Sequence, residues 1–407
     1  MPTNKLSLSK KTIYLVVFLI IFIGFEGFLL FRKNPQTSNQ LESFSSLAQK
    51  IVAKCSTSDY KAGCYETEVP KLMATLSMED TFAVTKDIQH IDTSYQYCHV
   101  LGHKLSAEET KKNPDEWKTV ITQCPSGVCS NGCIHGAFQE RFRTESLPDA
   151  KIEELRPQLD DVCEPRDKWN PTGMEQGSCY HALGHLTMYI TDADIQKSVE
   201  LCDAVAKKPN GDWSQLCYDG AFMQIFQPLE PDDFALIVGK EIKSETQHVS
   251  LCNKFSGKAK SSCWSEGWPL YFEKLKTGEG LSNYCTNYKQ NNIETERCFN
   301  SLFYVMTAQM NFDIERIGTY CSEVIQTYRG NCFANAASRM IETDWENVDL
   351  SLKLCEKAKS FSVGERCYQE LALYANYNFH PNSPESKSLC NKLPEEFIKQ
   401  CSLDRKN

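Results

Sequence analysis

Twenty cysteines fall into two interleaved ladders, and this pattern constrains the fold of the 407-residue chain more than any other feature. Cys64, Cys98, Cys133, Cys179, Cys217, Cys263, Cys298, Cys332, Cys367 and Cys401 recur at spacings of 34, 35, 46, 38, 46, 35, 34, 35 and 34. Most open an apolar, aromatic run, as in CYDGAFMQIF from Cys217 and CWSEGWPLYF from Cys263. Repeats of this period are the signature of stacked helix pairs. A second ladder precedes the first: Cys55, Cys124, Cys163, Cys202, Cys252, Cys285, Cys321, Cys355 and Cys390 lie 9 to 16 residues upstream of their partners. Each upstream cysteine falls near the end of a helix-like segment, with polar loop residues such as Lys207 to Asp212 between the two.

We read each pair as a disulfide across the tip of a helical hairpin, where a short turn brings Cα atoms to about 5.5 Å. The expected bridges are Cys55–Cys64, Cys124–Cys133, Cys163–Cys179, Cys202–Cys217, Cys252–Cys263, Cys285–Cys298, Cys321–Cys332, Cys355–Cys367 and Cys390–Cys401. Closing loops of this size stabilises by roughly 3 kcal/mol each in the chain-entropy model. Spacing alone does not dictate connectivity. Zinc held by cysteines alone is the competing reading, but the chain contains no C-x-x-C. Cys98 and Cys129 remain: they form a tenth bridge, Cys98–Cys129, or stay as free thiolates beside the nearby histidines.

So many cysteines persist as disulfides only in an oxidising compartment. Thr12 to Phe31 is a 20-residue apolar run broken only by Glu26. At about 1.5 Å rise per residue it spans a hydrocarbon core of roughly 30 Å. The run lacks the small-residue cleavage site of a signal peptide, so an uncleaved anchor is expected. Charge flanking is nearly balanced, and the cysteines orient the span, with the body outside the cytoplasm. The chain therefore divides into a cytoplasmic N-terminus (1–11), a transmembrane signal anchor (12–31), a polar linker (32–46), N-terminal repeats (47–240) and C-terminal repeats continuous with them (241–407). The expected fold class is all-α: an α-solenoid of about ten disulfide-stapled hairpins behind one transmembrane helix. Its partners would be the bilayer through residues 12–31 and a protein or peptide on the solenoid surface. A net charge of -9 excludes a nucleic-acid surface.

From the ladders, the architecture over residues 47–401 resembles the tetratricopeptide class of helical-hairpin solenoids. The resemblance is architectural only. The W-x2-L-G-x2-Y pattern of that class is not present, and no site residue carries over.

Five of the 8 histidines occupy matching places in three consecutive repeats. They lie in Cys98-His99-Val100-Leu101-Gly102-His103, Cys133-Ile134-His135-Gly136 and Cys179-Tyr180-His181-Ala182-Leu183-Gly184-His185. His99, His135 and His181 are equivalent, and His103 and His185 are equivalent one turn on. Later repeats place Asp219, Ser265, Asn300, Ala334 and Gln369 there instead. Residues at i and i+4 share a helical face, so each H-x-x-x-H offers two imidazoles to one ion, and imidazole suits Zn, Cu and Fe. Asp219, Cys98 and Cys129 are further candidate ligands. Stacked helices lie 8–10 Å apart, which would separate the outer pairs by roughly 16–20 Å and make one ion unable to collect all five. Gly102, Gly136, Gly184 and Gly220 remove side chains where helices approach closely, which would help bring ligands together. One ion would still need the superhelix to curve sharply, and otherwise there are two sites or one pair is not a ligand.

Neither histidine pair is H-E-x-x-H, no C-x-x-C-H haem attachment is present, and no P-loop, G-x-S-x-G or dinucleotide fingerprint occurs. His90, His248 and His380 read as ordinary surface or loop residues. Aromatics of the C-terminal half, such as Trp264, Trp268, Phe299 and Tyr304, read as core. The expected function is a metal-binding helical-repeat protein, with the reaction open. A metal-free binding scaffold and a noncovalent bis-histidine haem protein are the alternatives.

Overall fold

A computed structural model describes residues 35–142, 147–166, 169–209, 211–287 and 292–401. Among the described residues the chain is all-α, 76% helical over 22 helices. Among the described residues the one sheet is a two-stranded ribbon pairing Lys207–Lys208 with Gly211–Asp212. The expected cytoplasmic and transmembrane segments, 1–11 and 12–31, lie outside the described residues. Among those described, no helix is long and apolar enough to cross a membrane.

Much of the stretch expected to be a tether is helical. A helix runs Pro35–Cys55, and Phe44, Ala48, Ile51 and Cys55 on it are buried. Their spacing of 4, 3 and 4 is one helical face. The polar composition of the segment hid this stripe.

All twenty cysteines are bridged and none is free. The nine hairpin bridges join the two ladders pair by pair, with Cα separations of 5.3–5.7 Å. Cys98–Cys129 is the tenth, at 4.7 Å.

The helices that carry or immediately follow eight of the ten downstream cysteines, Cys98 to Cys367, form a continuous stack. They are α1 (His99–Lys112), α2 (Gly132–Phe142), α3 (Gly173–Ile190), α4 (Ser214–Phe226), α5 (Gly257–Glu266), α6 (Asn292–Gln309), α7 (Gln326–Thr343) and α8 (Gly364–Asn378). Each packs on the next. Most upstream cysteines sit on or just after shorter helices, such as Ile195–Ala206 and Val348–Lys359, whereas Cys55 ends the 21-residue helix Pro35–Cys55. Two core clusters result, one reaching to Cys263 and one beginning at Tyr271, and Trp264 and Leu270 pack against both.

Local sequence sets the ends of these helices. Thr172 and Glu175 form a reciprocal capping box at the start of α3: the Thr172 hydroxyl accepts from the Glu175 N–H at 3.1 Å, and the Glu175 carboxylate accepts from the Thr172 N–H at 2.7 Å. This satisfies two donors that a helix start otherwise leaves open.

An extended superhelix would keep distant repeats apart, but here the stack folds back on itself. Helix α8 packs against α3, and α7 packs against the turn Cys129–Asn131. Val128 and Asp344 form an isolated antiparallel bridge. Lys86 pairs with Asp344, and His380 with Glu175 at 3.4 Å. The C-terminal hairpins therefore close over the histidine-bearing ones.

Candidate metal centre

Glycine decides how near the histidine helices come. A Cβ on Gly132 would lie 2.1 Å from the His99 carbonyl oxygen, and one on Gly136 would lie 1.9 Å from that of His103. The ridge His99-x-x-x-His103 of α1 thus seats in the groove Gly132-x-x-x-Gly136 of α2, backbone against backbone, as small-x-x-x-small contacts allow. The next tight contact repeats the device. A Cβ on Gly220 of α4 would lie 2.0 Å from the His181 carbonyl oxygen, and one on Gly184 of α3 would lie 2.0 Å from that of Cys217. These contacts close α1 on α2 and α3 on α4, and His135 of α2 spans the two outer pairs, touching His99 and His103 on one side and His181 and His185 on the other.

The five imidazoles consequently form one connected group. Ring centroids are 4.7 Å apart for His99 and His103, 4.8 Å for His99 and His135, and 5.0 Å for His103 and His135. His135 then contacts His181 at 5.3 Å and His185 at 5.5 Å. One ring nitrogen from each of His99, His103 and His135 lies within 4.8 Å of the other two. In the second subset, the His181 and His185 Nε2 atoms are 3.2 Å apart. Two ligands of one tetrahedral ion at about 2.0–2.1 Å would have nitrogens at a closely similar separation. His185 Nδ1 lies 2.7 Å from Gln224 Oε1, a partner that fixes the ring and leaves Nε2 for the centre.

His99, His103, His135 and His185 are buried, whereas His181 is partly open. By hydrogen-bond geometry both nitrogens of His103, and Nδ1 of His99 and of His135, lack a protein partner, although the Gln139 side chain lies near His103 and the Ser130 and Cys129 backbone near His99. Unpartnered polar atoms are rare in native interiors and call for a reason. Burial drives all five rings toward the neutral base. His99 falls to about 4, with the charge of Arg339 adding to desolvation. His103, His135 and His181 are held well below the ordinary imidazole range by burial and by one another's charge. His185 is lowered by burial and partly restored by Gln224. The neutral imidazole is the ligand form.

The disulfide Cys98–Cys129 braces this site. Cys129, Ser130 and Asn131 all adopt left-handed backbone, with φ of 51°, 49° and 56°. Such residues are costly without glycine and cluster at functional sites. The bridge ties this turn to Cys98, next to His99.

Of the three further candidate ligands, the two cysteines are corrected. Cys98 and Cys129 are bonded to each other, so neither offers a thiolate. Asp219 sits one helix further along, where it accepts from Gln215 Nε2 at 3.0 Å. Burial raises its carboxyl to about 6, and it neighbours Glu266 rather than an imidazole. His248 is also misread from sequence, being fully buried. Its Nδ1 lies 2.9 Å from the Tyr271 hydroxyl and its Nε2 lies 3.0 Å from the Cys263 carbonyl. It stands near Cys252 and Cys263, but those sulfurs form a disulfide and hold no ion. His90 and His380 are exposed and pair with Glu346 and Glu175.

Arg339 of α7 is the residue that sequence reasoning missed. It is buried, its guanidinium carbon lies 5.7 Å from the Tyr97 ring, and that ring stacks on His99 at 5.8 Å. No local motif marks it, because it reaches the centre from about 240 residues away in sequence through closure of the stack.

No family model matches this sequence, and no characterised protein or solved structure shows significant similarity to it.

Proposed function

We propose that this chain is a transition-metal protein of an oxidising, extracytoplasmic compartment, with the metal held by His99, His103, His135, His181 and His185. One observation carries the reading: three neutral, buried imidazoles from two helices place ligand nitrogens within 4.8 Å of one another, and four of their ring nitrogens have no protein partner in hydrogen-bond geometry. Neutral nitrogen donors suit zinc, copper or iron over calcium or magnesium, which take oxygen. Three histidines are the protein donor set of some catalytic zinc sites. The pair His181 and His185 supplies a second position, so the group accommodates one or two ions. Ten disulfides support the compartment. The stapled hairpins are read as a solenoid curled shut, anchored in a bilayer by residues 12–31 and offering its outer face to a protein partner.

Haem is disfavoured. A macrocycle needs a flat slot between its axial imidazoles, whereas these five rings pack directly on one another at 4.7–5.5 Å.

The test is metal analysis of the purified full chain. Stoichiometric transition metal, lost on replacing His103 and His135 together by Ala, is the expected result. A chain that takes up no metal from zinc, copper or iron solutions would overturn the reading and leave a stapled scaffold.

A further inference from the structure

We propose that Arg339 forms an anion subsite beside the histidine centre, so that the ligand the centre takes carries a small oxyanion of the carboxylate or phosphate type. The inference rests on the metal reading above and adds the chemical class of the ligand.

Charge balance is the first argument. The five histidines are neutral bases, so a divalent ion among them brings two positive charges that its protein ligands do not offset. Arg339, 5% exposed, adds a third, and its charge acts on both His99 and His181. Asp233 acts on the far side, through His185. Glu342 lies 2.7 Å from the guanidinium. Burial pushes that carboxyl up to about 8, while the guanidinium and the Tyr374 hydroxyl at 2.8 Å favour its ionised form. At most it balances Arg339 alone. Buried charge without a counter-charge is costly, and an incoming anion removes that cost.

Arg339 is also built to receive one. Its Nη1 is engaged by Glu342 and by the Tyr304 hydroxyl, and the guanidinium lies 3.6 Å over the Tyr304 ring. These contacts hold the group flat and in place. The Tyr97 side chain bonds the guanidinium as well, yet the buried Nε has no acceptor in hydrogen-bond geometry. A guanidinium clamped only for structure would have its inner donor satisfied. The turn that packs on α7 contributes two more unpartnered buried groups, Ser130 Oγ and Asn131 Nδ2. A planar fork with added neutral donors is the arrangement that reads a carboxylate or phosphate.

The experiment uses the full chain loaded with Co2+, whose visible spectrum reports its ligands, titrated with acetate and separately with inorganic phosphate. The expected result is a spectral change with at least one anion, the tighter of the two naming the class. Arg339→Gln should keep the same cobalt stoichiometry but need roughly tenfold more of that anion, the loss of one charge-assisted hydrogen bond. Arg339→Lys should lie between. Asn131→Asp, which adds a carboxylate to the turn that packs on α7, should weaken the same titration and serves if Arg339→Gln does not fold. Equal anion affinity in wild type and in either folded variant overturns the proposal, as does a cobalt spectrum that neither anion alters. Failure to take up cobalt at all instead overturns the metal reading, and the stoichiometry measurement shows it separately.

Discussion

The His103 carbonyl oxygen lies 1.9 Å from the point a Cβ on Gly136 would occupy, so the backbones of α1 and α2 touch at the histidine centre. A methyl group there forces the helices apart, and with them His103 and His135, whose ring centroids are now 5.0 Å apart. Gly136→Ala should therefore destabilise by about 1–3 kcal/mol, as overpacking does, and abolish metal uptake. Gly330→Ala is the control, because its nearest neighbour would be an ordinary 3.4 Å away. Thermal melts and metal content of the two variants check this.

Histidines that serve a ligand and histidines that serve the core respond oppositely to removal. His103 has two buried nitrogens without partners in hydrogen-bond geometry, so in metal-free protein His103→Leu should raise stability by about 1–3 kcal/mol, the cost of the unmet groups. His248 has both nitrogens bonded, and His248→Leu should lower stability by a similar amount. Denaturant titrations in chelator decide between them. Destabilisation by His103→Leu would mean that the ring is structural.

Acid should unfold the metal-free protein early. The folded His99 sits near 4, below its unfolded value of 6.5, so the unfolded chain binds protons first as pH falls. Its contribution is complete above about pH 6.5 and lost progressively toward pH 4, about 3 kcal/mol for this ring. The four other depressed rings act in the same direction. His380 runs the other way: Glu175 raises it, so its pairing stabilises at low pH and fades as pH rises, weakly because the ring is partly exposed. Urea midpoints from pH 7 to 4 should fall steeply in wild type and less steeply when His99, His103 and His135 are Leu.

The bridge Cys98–Cys129 should matter to both fold and site. It closes a separation of 31 residues, worth about 3–4 kcal/mol in the chain-entropy model, and it restrains the left-handed turn beside His99. Replacing both cysteines by Ala should cost that stability and weaken metal affinity in a competition assay. Thiol titration of the denatured wild type should find no free thiol.

Much of the architecture was legible because its causes are local and periodic. A cysteine every 34 to 46 residues with a partner 9 to 16 residues before it dictates hairpins, and two imidazoles four residues apart share a face wherever that helix goes. Gly132-x-x-x-Gly136 was also readable as a groove for a close neighbour, though only Gly136 drew notice. The stripe Phe44, Ala48, Ile51 lay hidden under polar neighbours, and His248 gave no periodic signal at all.

By itself the sequence determined the helical hairpins, their staples and which faces bear histidine, since each depends on contacts within a few tens of residues. Tertiary structure alone decided that five rings on three helices make one group, because that depends on backbone contact of α1 with α2 at Gly132 and Gly136 and on the packing that sets His135 against His181 and His185. It alone brought α7 across the site as well. Closure of the stack is a sum of long-range contacts such as Val128 with Asp344 and α8 with α3. No local pattern encodes such a sum, and it is what places Arg339 beside His99.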